Sequence, residues 1–230
     1  MPKLPTSLRN KVILLTGSLV FFATTLVGLL NFIHTSSIAQ KTAIEGLAGE
    51  TRLTAAKFVD GYGELFSDIN LIAESPSVQG IIRSTLNLGI DSVDESTTDQ
   101  WRERLISVFL TVLKSRPHYT QLRYIGIANK GREIVRVNQS NGQTQIVPED
   151  QLQQKANESY FKAGQKLIRK EVFFSEVTLN REHGKIDPNR IPTIRAVYPV
   201  YDDRGFLFGM IVLNADFSSM LRKTFESLPI

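Results

Sequence analysis

Three regimes of hydrophobic patterning follow one another along this chain. From Val12 to Ile33, VILLTGSLVFFATTLVGLLNFI, 22 residues carry no charge, and only Thr, Ser, Gly and Asn interrupt the apolar run. At 1.5 Å per residue such a helix covers about 30 Å, the hydrocarbon thickness of a bilayer. From about Ser36 to Ala73 there is no proline, and Ile44, Leu47, Phe58, Val59, Phe66, Ile69 and Ile72 recur near helical spacing between charged residues. That pattern predicts one long amphipathic helix continuing out of the apolar one. Gly61 and Gly63 each lower helix propensity by about 1 kcal/mol and leave room for a bend or short break near residue 62. Two shorter helices follow. The first has Ser75 or Ser77 at its N-cap and Pro76 in its first turn; the second runs from about Thr98 to Ser115 with a stripe of Trp101, Leu105, Ile106, Phe109, Leu110 and Leu113. Trp101 is expected in the core rather than at a ligand.

Beyond Leu122 the period changes from helix to strand. LRYIGIANKGREIVRVN, Leu122 to Asn138, places β-branched and aromatic residues on both sides of Asn129, Lys130 and Gly131, the signature of a strand, a tight turn and a strand. After a polar stretch, EVFFSEVTLN, TIRAVYPVYDD and FLFGMIVLNADF predict strands three, four and five, the last two joined antiparallel by the turn Asp202 to Gly205. The expected fold is α+β: an N-terminal transmembrane helix and a long stalk helix, then a five-stranded antiparallel sheet with a helix and loop inserted between its second and third strands.

Charge gives the apolar helix a direction. Lys3, Arg9 and Lys11 precede it and no Lys or Arg follows until Lys41, so the N-terminus is expected in the cytoplasm and everything after about residue 34 outside. Two other readings stand beside this anchor: a signal peptide cleaved after SIA at Gln40, and the buried helix of a soluble core. The formal charge of +4 comes largely from those first residues, which argues against a nucleic-acid partner.

With no cysteine, thiolate metal sites and disulfide frameworks are excluded. The three histidines, His34, His118 and His183, show no zinc-ligand spacing, and no glycine-rich phosphate loop is present. No metal, cofactor or catalytic activity is expected. Glu182, beside His183 in NREHGKID, reads as a solvated loop residue. Alternation along the strands does suggest a binding face: Tyr124 lies opposite Ile125, Arg136 opposite Val135 and Val137, and Arg195 opposite Ile194 and Ala196. Buried arginines need partners, so Arg136 and Arg195 either pair with Glu133, Glu176 or Asp216 or aim at an anion.

The hairpin, LQQKANESYFKAG, VFFSEVTLNREHGKID and PTIRAVYPVYDDRGFLFGMIVLNADF, behind a membrane anchor and helix, together resemble the extracytoplasmic Cache domains, PAS-like sensor modules of bacterial histidine kinases, diguanylate cyclases and chemoreceptors. The resemblance covers most of residues 36–222 and is to the membrane-distal module of the double type. It implies that NESYFKAG covers a pocket, with Tyr160 and Lys162 closing over a ligand. It adds Tyr198 on the fourth strand and Asp216 at the end of the fifth, where related domains hold a ligand amine. The candidate ligand-binding set is therefore Tyr124, Arg136, Tyr160, Lys162, Arg195, Tyr198 and Asp216. The residue set of the amino-acid-binding Cache domains is not matched, so the ligand class stays open.

The expected organisation is a cytoplasmic N-terminus (1–11), a transmembrane helix (12–33), a stalk (34–73), a sensor module (74–222) and the start of a connection to a second module (223–230). The expected function is membrane-anchored sensing of a small molecule, in a homodimer paired through the stalk, with output from a domain outside this chain. A ligandless module for dimerisation or periplasmic partner binding is the alternative.

Overall fold

The computed structural model describes residues 8–182 and 184–226. The chain divides into two compact units, Met1–Leu53 and Thr54–Ile230. Helix α1 (Leu8–Ala73) begins in the first and ends in the second. Its most apolar window has a mean hydropathy of 2.2 and none of it is buried within the protein, so it is long and apolar enough to cross a membrane. The break that Gly61 and Gly63 would permit is not taken, and the helix runs unbroken through both. At Gly61 the missing side chain allows close approach to Met220, whose methyl carbon would lie 3.4 Å from an added Cβ.

In the second unit the last turns of α1 lead into α2 (Pro76–Leu86) and α3 (Thr98–Ser115). Ser75 is the N-cap of α2, with Pro76 in the first turn. Thr97 caps α3 through a reciprocal box with Gln100: its hydroxyl accepts from the Gln100 amide at 3.2 Å, while the Gln100 side chain accepts from the Thr97 amide at 2.8 Å. The strands follow as β1 (Tyr119–Gly126), β2 (Glu133–Ser140) and β3 (Gln143–Ile146). A tight turn α4 (Ala128–Gly131), with Asn129 and Lys130 at left-handed φ of +53° and +60°, joins the first two. After α5 (Ser159–Gly164) come β4 (Phe173–Phe174), β5 (Thr178–Leu179), β6 (Arg181–Glu182), β7 (Lys185–Ile186), β8 (Pro192–Tyr201), β9 (Leu207–Asp216) and α6 (Phe217–Glu226).

Seven of these strands form one sheet in the order β3-β2-β1-β9-β8-β4, with β5 also on β8, and every pairing is antiparallel. This is two strands more than the five expected. The polar edge strand β3, QTQI, has no apolar alternation to reveal it, and the expected third strand is split into β4 and β5. A separate two-stranded ribbon pairs β6 with β7.

Alternation divides the sheet into two faces. Leu122, Tyr124, Val135, Val137, Ile194, Ala196, Tyr198, Ile211 and Leu213 form one core with Leu65, Ile69 and Ile72 of α1, Ile81 of α2 and Leu105, Phe109 and Leu113 of α3. On the opposite face a smaller cluster of Ile125, Val197, Met210 and Val212 packs with Tyr160 and Phe161 of α5. Gly131, at φ +68°, closes the β1–β2 connection and lets α5 press on it: an added Cβ there would meet Phe161 at 2.8 Å. The two helices α2 and α3 meet just as closely at Gly80, where a Cβ would lie 2.2 Å from ring carbons of Trp101.

That contact leaves no room for a methyl group. Although alanine favours helix, Gly80→Ala is expected to lower unfolding free energy by about 1–3 kcal/mol through overpacking, read as a lower denaturant midpoint at unchanged m-value. An unchanged or raised midpoint would show that the α2–α3 contact yields freely.

Candidate functional site

The sheet face turned away from α1–α3 carries charge where a core would carry only hydrocarbon. The strands deliver these polar residues on the parity opposite their helix-covered core residues: Gln121 and Arg123 from β1, Arg136 and Asn138 from β2, Arg195 from β8 and Asn214 from β9. The burial is deep, with Arg123 and Glu133 at 1% exposure, Lys155 at 2%, and Arg136 and Arg195 at 6%. Bare charges at such depth are prohibitively costly, so each must find a counter-charge or a donor and acceptor set.

Most do so around Glu182. Arg123 reaches Glu133 at 3.2 Å and Glu182 at 3.0 Å, and Arg136 reaches Glu182 at 2.9 Å and Glu133 at 3.7 Å. Lys155 lies 4.0 Å from Glu182. Gln121, Asn180 and Gln153 donate side-chain hydrogen bonds to the same carboxylate at 3.2, 3.2 and 2.8 Å. Arg123 also donates to the Tyr160 hydroxyl at 2.9 Å. Burial alone would raise the Glu182 pKa, but Arg123, Arg136 and Lys155 outweigh it and hold the carboxyl at about 2. Burial, assisted by Arg123, pushes Lys155 down to about 8 against the pull of Glu182 and Glu133.

Arg195 is different. Among the described residues no carboxylate lies within 4.0 Å of its guanidinium; Nη1 donates to Thr178 Oγ1 at 2.8 Å, Nη2 donates to Asn180 Oδ1 at 3.5 Å, and Nε has no hydrogen-bond partner. It stands 5.6 Å from the Tyr160 ring centroid. Burial and the nearby Arg123 both work against its charge, yet a guanidinium stays protonated in a protein. Together Arg195, Arg123, Tyr160, Thr178 and Asn180 line a cavity of about 330 Å³. A neighbouring cavity of about 210 Å³, lined by Arg136, Asn138 and Glu182, adjoins it at Asn180. Of the larger concavities, the one of about 420 Å³ beside Lys57 and His118 has no buried cation in its lining and the one of about 630 Å³ around Gln151 and Asn157 has Lys155, already committed to Glu182, whereas two buried guanidiniums, Arg123 and Arg195, converge on the sheet-face cavity.

Of the seven residues nominated from the sequence, Arg136, Tyr160 and Arg195 come together here. Four do not. Tyr124 and Tyr198 point into the helix-covered core, because alternation puts them on the same face as Leu122 and Ala196; Tyr198 donates to Glu74. Lys162 sits on the exposed side of α5. Asp216 caps α6, accepting from the amides of Ser218 and Ser219 at 2.9 and 3.2 Å. Glu182 is corrected in the other direction: expected to be solvated, it is the hub of the ion cluster, while His183 beside it lies outside the described residues. Arg123 and Lys155 were not nominated, although Arg123 sits between Leu122 and Tyr124 in the same alternation that singled out Arg136.

An antiparallel sheet with helices on one face and a cation-lined, partly capped cavity on the other defines an α+β module with a single open face. The chain belongs to the bacterial histidine kinase sensor domain family, whose model matches residues 65–225. No curated protein matches the chain in sequence. Among solved structures it is similar to the extracellular domain of a protein described as the histidine kinase vpHK1S-Z8, with TM-score 0.59, 20% identity, and 74% of this chain and 56% of that chain covered. It is also similar to a domain of a sensory box/GGDEF family protein from Vibrio parahaemolyticus, with TM-score 0.58, 22% identity, and 74% and 61% covered. The sensory domain of the Campylobacter jejuni chemoreceptor Tlp3 with isoleucine bound matches with TM-score 0.52, 14% identity, and 80% and 64% covered. The chain thus spans less than two thirds of each of these neighbours.

Two outcomes test the ion cluster. Arg123→Met leaves Glu133 with one distant cation and should lower unfolding free energy by about 3–5 kcal/mol in denaturant titrations; a loss under about 1 kcal/mol would mean that the cluster is not energetically coupled. Lys155 releases its proton near pH 8 when folded and near 10.5 when unfolded, so between those values the unfolded chain holds more protons and stability gains with rising pH. Relative to Lys155→Met, the protein should gain at most about 1.4 kcal/mol per pH unit across that window, and a flat difference would show an unshifted lysine.

Proposed function

We propose that this chain is the extracytoplasmic sensor of a bacterial membrane receptor and that it captures a small anionic molecule in the cavity at Arg195. One observation carries this reading: Arg195 is a buried cation with no carboxylate beside it among the described residues, and it lines a cavity of ligand size. A protein gains nothing in stability from such a charge unless something of opposite sign arrives. The Tlp3 domain holding isoleucine supports the view that the fold accommodates small ligands.

In this reading α1 anchors the chain with its N-terminus in the cytoplasm, as Lys3, Arg9 and Lys11 favour, and pairs with the same helix of a second copy. No nucleic acid and no cofactor take part. Output lies in a domain beyond this chain. The relay has a physical route, since β1 carries Arg123 in its middle and Tyr119 at its start. Tyr119 donates to Asp68 of α1 at 2.8 Å, and the preceding Arg116 pairs with Asp68 at 2.8 Å and Glu64 at 3.0 Å. Lys223 of α6 reaches the same Glu64 at 3.6 Å. A shift of β1 on ligand capture would bear on both helices at once and bias their positions in the dimer.

Glu182 inside the ion cluster favours a second reading, a ligandless module for dimerisation or partner binding, in which internal charges satisfy the site. Calorimetry separates the two. The full chain in lipid nanodiscs, titrated with a panel of carboxylates and amino acids, should bind at least one of them. Arg195→Ala should weaken that binding at least about tenfold, a loss of about 1.4 kcal/mol, while the exposed Lys162→Ala leaves it unchanged. Binding that ignores Arg195, or silence across the panel, would sink the anion-sensor reading.

A further inference from the structure

Glu182 is held by parts of the protein to which it does not belong. It lies on β6, which pairs only with β7, outside the seven-stranded sheet. The groups around its carboxylate come instead from β1 (Gln121, Arg123), β2 (Arg136) and the segment carrying Gln153 and Lys155; Asn180 alone is a near neighbour in sequence. Both oxygens are served: Oε1 accepts from Gln121, Arg123 and Asn180, and Oε2 accepts from Gln153 and faces Arg136. This is a complete carboxylate receptor built mainly by the sheet and filled by a side chain from a separate ribbon.

The receptor opens towards the Arg195 cavity. Asn180 lines both cavities, donates to Glu182 at 3.2 Å and accepts from Arg195 at 3.5 Å. A ligand lodged at Arg195 therefore sits beside the Glu182 carboxylate. Within the buried cluster Arg123, Arg136, Lys155 and Arg195 face Glu133 and Glu182, with Glu158 at the rim of the larger cavity. Removing Glu182 would leave four cations facing one buried carboxylate.

Building on the anion-sensor reading, we infer that Glu182 is a tethered stand-in for the ligand, and that the ligand is a small dicarboxylate with one carboxylate at Arg195 and the other in the place Glu182 now holds. The exchange conserves the salt links of Arg123 and Arg136 and adds a partner for Arg195. Because the Glu182 carboxyl stays ionised down to about pH 2, protonation does not empty the receptor at ordinary pH; a competing anion does. Only two residue pairs hold β6 to β7, Arg181 with Ile186 and Glu182 with Lys185, so displacement disrupts no strand of the main sheet.

The test uses the full chain in nanodiscs with succinate and malonate as dicarboxylate probes and acetate as the monocarboxylate probe. Glu182→Gln keeps the shape and removes the competing charge. It should tighten binding of at least one dicarboxylate by about tenfold or more and of acetate by less than about threefold, since a tethered competitor acts at millimolar effective concentration. In the unaltered protein, that dicarboxylate should speed amide hydrogen exchange in the peptide carrying Glu182, and acetate should not; this measurement stands even where the variant folds poorly. An equal gain for acetate and the dicarboxylates would reduce Glu182 to a general charge effect and overturn the proposal. Dicarboxylate binding that depends on Arg195 but leaves the Glu182 peptide and the variant unmoved would overturn it while the anion sensor stands. If neither the protein nor the variant binds any probe, the dicarboxylate assignment fails, and the wider carboxylate and amino-acid panel decides the anion sensor separately.

Discussion

A guanidinium in the middle of a buried strand dictates much of what surrounds it. Arg123 is 1% exposed, with Leu122 and Tyr124 on either side locked into the opposite core, so it has no freedom to swing out to water. Its charge has to be met where it stands. Glu133 meets it from the neighbouring strand at the β1–β2 register shift, Glu182 from the ribbon and Tyr160 from α5. Three otherwise independent segments are thereby drawn to one spot. The cavity beside Arg195 is enclosed by the same segments, so the geometry of the open face follows from neutralising one charge.

The covered face works by different physics. There the sheet is hydrocarbon against hydrocarbon, with Leu65, Ile69 and Ile72 of α1 seated beside α2 and α3. Among the polar links at its margin, Arg116 and Tyr119 bind Asp68 of α1, and Tyr198 binds Glu74 just past the end of that helix. An apolar contact resists separation but tolerates sliding, whereas a bidentate ion pair sets register.

Sequence patterning recovers whatever depends on neighbours in the chain. Helical periodicity located α1, α2 and α3, capping preference narrowed the start of α2 to Ser75 or Ser77, of which Ser75 holds the N-cap position, and alternation put Arg136 and Arg195 opposite the core. On β8 the same rule excludes Tyr198, which shares a face with Ile194 and Ala196; on β1 apolar residues stand on both faces, so alternation alone does not tell the helix-covered side, and taking Ile125 as core puts Tyr124 on the binding face and hides Arg123. Other features were beyond reach. β3 is polar because it is an edge, and nothing in QTQI marks it as paired. Glu182 is polar in a polar loop, and only the folding back of a short ribbon over β1 and β2, a contact 59 residues distant from Arg123, turns it into a buried anion. Lys155 is hidden for the same reason.

The ribbon also separates two kinds of change in this molecule. β6 and β7 contribute no rung to the main sheet and no residue to the helix-covered core. Substitutions and insertions there that keep the Glu182 carboxylate therefore alter which chemical groups the cation-lined face meets while leaving the strand pairing of the main sheet and the helix-covered core untouched. A lineage carrying this domain has in the ribbon a place where recognition drifts quickly against a slowly changing frame. Comparing substitution rates along descendants of this chain would show that contrast as a narrow variable window between two conserved strands.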